Sequence, residues 1–532
     1  MTTSAPRSPR VTRIAGGTLA SRASGLIRVL VLAWVLGFTP LADAYNLANT
    51  VPNMLYDLVL GGILSATFIP VFVERLALDG ERRAWRSISS VVTAATIALV
   101  IASVLTFLLA PEIIRAFTVL GGRTPGRSSA QLALEQSVAT SLLRWFSPQI
   151  LFYGLIGIGS ALLNVRHRFS APAWAPIANN VVCIIVLVWF HAVDPVPTLT
   201  GVAGTSTLAW LGIGTTIGVA VQALMLLPSM SRADLWRLTP RLDLKDPALR
   251  AIARLGSWTF GVVLANQASL YVVLALAFGI GGSGPVSAYT YGWSFMQMPY
   301  AVVVVSVLNA LTPRLAALAT NRDHREFAKR LGLGMRQSLV IIIPVAAMLV
   351  VLAQPIVAVL LNHGNAQYSL KSGTVLAVLA AGLPGFTAFQ VAIRGLQSMQ
   401  HASDTFWLYL FQNGSTIALA LLIGRHSLGG LCASVAISYL VAAVLAIATL
   451  SWRGVSLWGE IARPAVTRAL VDAIIAAIAA ALAYNVRAWP SGAGLLLRLA
   501  LAITVGLLVY GGLQVLGHRR EQSRRRRPAP RS

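Results

Sequence analysis

The chain has 532 residues, of which 56% are hydrophobic and 11% charged, and its mean hydropathy is +0.73. A soluble domain carries about 25% charged residues, so these proportions exclude a water-facing globular surface. The formal net charge of +25 does not signal nucleic acid, because Lys and Arg sit in short segments between apolar runs and not on one soluble face.

The apolar runs are about 20 residues long, enough to span a hydrocarbon core. An all-α integral membrane protein with roughly fourteen spans is expected, at 14–37, 41–72, 86–110, 135–163, 172–193, 205–228, 249–279, 285–313, 331–353, 373–400, 403–424, 428–451, 464–487 and 493–517. The first run is interrupted by Arg22 and Arg28 and lacks a small-residue cleavage site, so it reads as a retained helix and not a signal peptide. Basic residues crowd alternate loops: Arg82, Arg83 and Arg86, then Arg166 and Arg168, then Arg232, Arg237, Arg241 and Lys245, then Arg322, Arg325, Lys329 and Arg330, and finally the tail Arg524–Arg527. The intervening loops hold only Arg115, Arg123, Arg127, Lys371, Arg425 and Arg487. Positive charge stays on the cytoplasmic side, so both termini are expected there.

An internal repeat is visible. The second span holds Pro52 and ends near Pro70, while the eighth holds Pro299 and ends near Pro313. The hairpin ALLNVRHRFSAPAW, ending at Trp174, parallels RGLQSMQHASDTFW, ending at Trp407. Two six-helix halves in one orientation are a known transporter plan. The expected organisation is a cytoplasmic segment 1–13, an N-lobe 14–228, a cytoplasmic loop 229–248, a C-lobe 249–451, two further helices over 452–517 and a basic tail 518–532.

Polar residues inside spans are costly and face a bundle interior or a cavity. In the first span Thr18, Ser21, Arg22, Gly25 and Arg28 share a broad face by their spacing. At 1.5 Å per residue, Arg22 lies about 12 Å into the span and Arg28 about 21 Å. Either they pair with buried carboxylates for structure, or they line an anion pathway. In the second span Asp43, Asn46, Thr50, Asn53 and Asp57 recur at i, i+3, i+7, i+10 and i+14, a polar stripe that cannot face lipid. It is a polar helix seam or a cavity wall, and Pro52 lets this helix bend. The tenth span carries Gln390, Arg394, Gln397 and His401, close enough to the cytoplasmic end to snorkel, and the seventh carries Asn266 and Gln267. No His/Glu metal cluster, phosphate-binding glycine loop or serine triad is present in the sequence, and Cys183 and Cys432 lie in apolar runs. A non-enzymatic transporter without a resident cofactor is therefore expected, and no coupling ion can be named.

At the segments SRASGLIR (Ser21–Arg28), ADAYNLANTVPNMLY (Ala42–Tyr56), GGILSATFIPVF (Gly61–Phe72), LLNVRHRFSAPAWAPIANN (Leu162–Asn180), QMPYAVVVVSVLNALTPRLA (Gln297–Ala316) and around Asp404, the chain resembles the MurJ/MviN family of lipid II flippases, within the multidrug/oligosaccharidyl-lipid/polysaccharide exporter superfamily. The resemblance spans roughly residues 10–455. It implies two lobes around a cationic cavity, with the last two helices forming a groove for the lipid tail. Arg22, Arg28 and Asp43 match essential family positions. Tyr56 and Ser294 stand where the family has arginines, and Gly61 where it has a glutamate, departures that resemble the high-GC Gram-positive branch. The implied activity is transfer of lipid II, an undecaprenyl-pyrophosphate-linked disaccharide-peptide, across the plasma membrane by alternating access, with cell-wall synthesis proteins as candidate partners. Arg22, Arg28, Asp43, Asn46, Asn53 and Asn180 are the candidate substrate-binding residues; Asp57, Pro52, Arg394 and Gln267 are candidates for coupling or gating. Export of drugs or cations, and transfer of another polyprenyl-linked glycan, remain as alternatives.

Overall fold

The computed structural model describes residues 9–61, 81–122, 127–233, 238–243, 245–282, 284–361, 366–461, 464–486 and 494–525. Every regular element among them is a helix, as hydrocarbon demands of a chain that must satisfy its backbone groups internally. The chain divides into two compact units, Met1–Ser287 and Ala288–Ser532.

The first unit contains α1 (Pro9–Leu36), α2 (Pro40–Tyr56), α3 (Glu81–Leu108), α4 (Ala110–Leu120), α5 (Ser129–Phe146), α6 (Gln149–Val165), α7 (Ser170–Val193), α8 (Ser206–Leu224) and α9 (Pro247–Gly279). Thr39 starts α2 by accepting a hydrogen bond from the Ala42 amide, with Pro40 following it, an arrangement suited to a first turn whose amides lack helical partners. Pro52 lies inside α2, which runs on into a π-helical turn, Asp57–Gly61. Helix α1 packs along α7, and α2 against α5 and α6. Trp85, Ile88 and Leu99 of α3 and Ile150, Ile158 and Leu162 of α6 build one buried core. Helix α9 joins this unit through α4. The Tyr271 hydroxyl donates to the Ala116 carbonyl at 2.9 Å, Phe117 meets the Tyr271 ring edge-on, and at Gly121 a Cβ would lie 2.5 Å from the Ala275 oxygen. Only a glycine admits so close a backbone approach.

The second unit holds the rest of α10 (Pro285–Pro299), a π-helical turn Tyr300–Val304, α11 (Val305–Thr320), α12 (His324–Val351), α13 (Ala353–Leu361), α14 (Ala366–Ala381), α15 (Leu383–Ser398), α16 (Ala402–Leu422), α17 (Leu428–Trp452), α18 (Pro464–Tyr484) and α19 (Gly494–Arg525). Helices α18 and α19 pair with each other, and α18 packs on α12. Polar contacts hold the pair: the Gln514 amide donates to Asp472 at 2.9 Å and the Tyr510 hydroxyl to the Val340 carbonyl at 2.6 Å. Asp404, at the start of α16, accepts two bonds from Arg453 at 2.9 and 3.0 Å.

The repeated hairpins close in the same way. His167 and Gln400 both take a left-handed conformation, φ 55° and 62°. In each, the amide after that residue reaches back to a carbonyl, Arg168 to Leu163 at 2.8 Å and His401 to Leu396 at 3.0 Å. This is the six-to-one closure that satisfies the last carbonyls of a helix, made also after Arg322 and Gly454. The short helices α4 and α13, which the periodicity did not reveal, likewise each follow a long one, α3 and α12.

Eleven described helices are long and apolar enough to cross a membrane, or twelve if α14 and α15, bent by 44°, count as one. Of the other expected spans, α2 is a 17-residue helix before its π turn and residues 62–80 lie outside the described set, together with Pro70 and most of the GGILSATFIPVF segment. Helix α16 carries Asp404, Gln412, Asn413 and Thr416, which dilute its apolar content. The outward faces of α3 (Ile97, Ile101, Val104, Leu108) and α17 (Ile437, Leu440, Val441, Val444) are exposed and apolar. Continuous apolar faces of this extent suit lipid and not water. The chain is a multi-pass membrane protein.

Candidate substrate-binding site

Four helices of the first unit, α1, α2, α6 and α7, bring its polar residues together. Arg28 of α1 is half-buried. The Cys183 sulfur of α7 and the phenols of Tyr45 on α2 and Tyr153 on α6 lie within electrostatic reach of its guanidinium. The Cys183 thiol donates onward to Asn179 Oδ1 at 3.2 Å. Glycine makes room for this relay, since a Cβ at Gly218 of α8 would sit 2.7 Å from Asn179 Oδ1 and 3.0 Å from Cys183 Sγ. A thiol is a weak acceptor and a guanidinium carries five donors, more than Cys183 can engage.

Tyr45 and Tyr153 are themselves fixed. The Tyr45 hydroxyl lies 3.2 Å from the Thr215 hydroxyl, and its ring meets Phe146 edge-on at 5.4 Å. Tyr153 hydrogen-bonds the Asn53 side chain, and its ring lies 5.9 Å from that of Tyr56. The Asn53 amide donates to the Asn49 carbonyl at 2.9 Å. Asn53 therefore lies in the same cluster as Arg28, with its amide partly committed. Arg22 is half-buried one and a half turns before Arg28 on α1.

Asn180, expected to bind substrate, donates to the Ser24 hydroxyl at 2.9 Å and the Ser21 carbonyl at 3.3 Å, seaming α7 to α1. Asp43 and Asn46 are buried and meet at Ser287. Asp43 Oδ1 accepts from the Ser287 amide at 2.8 Å and its hydroxyl at 2.7 Å, and Asn46 donates to the same hydroxyl at 3.0 Å. Nearby, Gly284 with φ +76° lies against the Phe38 backbone. These carboxylate and amide groups hold protein to protein in this conformation. Asp57 and Gln267, from different spans, are brought together: the Gln267 amide donates to Asp57 Oδ2 at 3.1 Å.

Among the positions where arginine was expected, the Ser294 hydroxyl donates to the Thr290 carbonyl of its own helix at 2.9 Å, and the Tyr56 ring lies tilted by 42° beside that of Tyr153. Gly61, where a glutamate was expected, is the last residue of the π turn. Arg394 lies in the second unit, half-buried beside Tyr409. Sequence reasoning missed Cys183, Asn179, Tyr45, Tyr153 and Ser287. A cysteine and two tyrosines in apolar spans look like packing, and nothing local marks Ser287 as the partner of residues some 240 positions earlier.

A family model, lipid II flippase MurJ, matches residues 32–501. The chain belongs to the lipid II flippase MurJ family. Members of this family are membrane transporters, and this one is a multi-pass plasma-membrane protein. A probable lipid II flippase MurJ of Rhizobium meliloti strain 1021 is 28% identical over 489 residues, covering 90% of this chain and 86% of its own. The lipid II flippase MurJ of Burkholderia cenocepacia is 29% identical over 393 residues, covering 73% of this chain and 72% of its own. A solved lipid II flippase MurJ in an inward closed conformation superposes with a TM-score of 0.75 at 21% identity, covering 95% of this chain and 98% of its own. An inward-facing MATE family transporter of the MOP superfamily has a TM-score of 0.66 at 15% identity, covering 82% of this chain and 95% of its own. At these identities the two structures establish a shared fold.

Proposed function

We propose that this protein carries lipid II from the cytoplasmic to the outer leaflet by alternating access, without a covalent step. The observation that carries the reading is Arg28, a half-buried intramembrane arginine of a MurJ family chain with Cys183 and the phenols of Tyr45 and Tyr153 within electrostatic reach. Moving a pyrophosphate through hydrocarbon unaided is prohibitive, and guanidinium groups supply bidentate, charge-assisted bonds to phosphate. Arg22 and Arg28 are the phosphate-binding residues in this scheme, with Asn53 beside them.

The scheme uses fourteen spans with both termini cytoplasmic, the topology that the basic loops favour. The lobes are helical segments 14–228 and 249–451. Asp43, Asn46 and Ser287 then lie near the outer end of their helices, and their mutual bonds close that end while the headgroup loads from the cytoplasm. Pro52, Asp57 and Gln267 lie at or beside the π turn of α2, where the helix is most easily rebent. Paired arginines disfavour cationic drugs as cargo.

The test is depletion of the protein in its host, with complementation by wild type or Arg28→Ala, and lipid II counted on each leaflet with an impermeant label. Cytoplasmic accumulation on depletion, rescued by wild type and not by Arg28→Ala at equal protein level, is the expected result. An unchanged leaflet distribution would overturn the substrate. Full rescue by Arg28→Ala would overturn the site.

A further inference from the structure

The second unit contains a wall of aromatic side chains that the phosphate-binding scheme does not use. Trp293 of α10, Tyr300 of the π turn, Tyr409 of α16 and Tyr439 of α17 are all half-buried. They stand on a fully packed floor, Phe386 and Phe389 of α15. Tyr300 and Tyr439 meet Phe386 edge-on at 4.7 and 4.9 Å, Tyr409 meets Phe389 at 5.2 Å, and Trp293 stacks toward Tyr439 at 6.4 Å. The rings are thus fixed in direction by one another.

The polar tips converge as well. The hydroxyls of Tyr300, Tyr409 and Tyr439 lie within electrostatic reach of each other, and that of Tyr409 donates to Gln390 Oε1 at 3.1 Å. Tyr409 thereby uses the oxygen of Gln390 and leaves its amide nitrogen as a donor. One turn along α15, the half-buried Arg394 lies within electrostatic reach of Tyr409. Here the faces are apolar, the rims carry donors and acceptors, and most of these side chains are only partly covered.

We propose that this wall binds carbohydrate, the class of group that the lipid II headgroup carries; the inference rests on lipid II as the cargo. A pyranose ring presents apolar C–H faces and a rim of hydroxyl and acetamido groups. Ligand sites of this kind are lined by aromatic side chains with a few placed polar groups, and Tyr and Trp combine an apolar face with a polar tip. A polyprenyl tail would use the faces and leave the Gln390 amide nitrogen and Arg394 desolvated against apolar chains, which disfavours it.

The test compares binding of lipid II and of undecaprenyl pyrophosphate, which has no sugar, to the full-length protein in nanodiscs. Tyr439→Phe and Trp293→Leu are expected to weaken lipid II about five- to tenfold, the effect of one hydrogen bond or ring contact, and to leave undecaprenyl pyrophosphate unchanged. Arg28→Ala is expected to weaken both. Should Trp293→Leu fail to fold, Tyr409→Phe, which removes only an oxygen, replaces it. Unchanged lipid II affinity in the folded variants overturns the proposal. Equal weakening of both ligands overturns it too, assigning the wall to phosphate or tail. A wild-type protein that binds neither ligand defeats the lipid II reading itself, and the sugar site with it; that outcome differs from wild-type binding that the wall variants leave intact.

Discussion

Gly218→Ala tests whether Arg28 is positioned by its neighbours. The new Cβ would lie 2.7 Å from Asn179 Oδ1 and 3.0 Å from Cys183 Sγ, closer than carbon atoms approach such groups. Since Gly218 is buried within α8, Asn179 and Cys183 must yield. Helix propensity alone would favour alanine by up to about 1 kcal/mol, while overpacking a tight site costs about 1–3 kcal/mol. The stability change is therefore small, between neutral and a loss of about 2 kcal/mol. The functional change is larger, because the displaced Cys183 lies within electrostatic reach of Arg28. A shift of Arg28 that breaks one charge-assisted hydrogen bond to phosphate forfeits about 1.5–3 kcal/mol, so pyrophosphate affinity is expected to fall about tenfold. The assay is lipid II binding in nanodiscs beside flipping in proteoliposomes and thermal unfolding. Cys183→Ser keeps the donor to Asn179 and is expected to stay near wild type, whereas Cys183→Ala is expected to behave like Gly218→Ala. Wild-type lipid II affinity in Gly218→Ala, with a raised unfolding temperature, would show that propensity alone decides and refute the relay.

Two further outcomes follow from the same geometry. Asp43→Ala strands the Ser287 amide and hydroxyl, which both bond Asp43 Oδ1; with about 1.5–3 kcal/mol at stake per charged hydrogen bond, cysteines introduced near α2 should gain at least tenfold in labelling from the outer side, while Asp43→Asn, which keeps an oxygen, should gain less. Equal labelling in wild type and Asp43→Ala would remove the closing role. The Arg127–Glu135 pair, 3.1 Å apart with side chains 9% and 5% exposed and Arg127 over the Phe278 ring at 4.6 Å, should make Glu135→Gln destabilising by about 3–5 kcal/mol, since one charge is left buried without its partner; a Tm within two or three degrees of wild type, measured as about 1 kcal/mol or less, would contradict this.

Much of the architecture was legible because hydrocarbon allows few solutions. A run of about 20 apolar residues reads as a span, and the structure contains helices at nearly every expected place. Where reading faltered, helices break inside a span or continue past it: α13 after α12, or the 44° bend between α14 and α15, where Gly382 and Pro384 interrupt a continuous apolar run. The polar stripe of α2 was visible, but its meaning was divided. Asn53 and Asp57 face other polar side chains across the first unit, whereas Asp43 and Asn46 are consumed at Ser287. Periodicity shows which residues share a face of a helix and cannot say what that face meets.

The sequence by itself determined that this is an all-helical membrane protein of the MurJ kind and that Arg22 and Arg28 are charges within its first helix in need of a purpose. Each of these follows from the cost of charge and of unpaired backbone in lipid, a cost that is local to the chain. Tertiary structure decided the rest: that Cys183, Tyr45 and Tyr153 gather round Arg28, that Gly218 leaves space for Cys183 and Asn179, and that Ser287 answers Asp43. Those pairings join residues far apart in the chain through the packing of one helix on another, and no local pattern encodes which side chain a given face will meet.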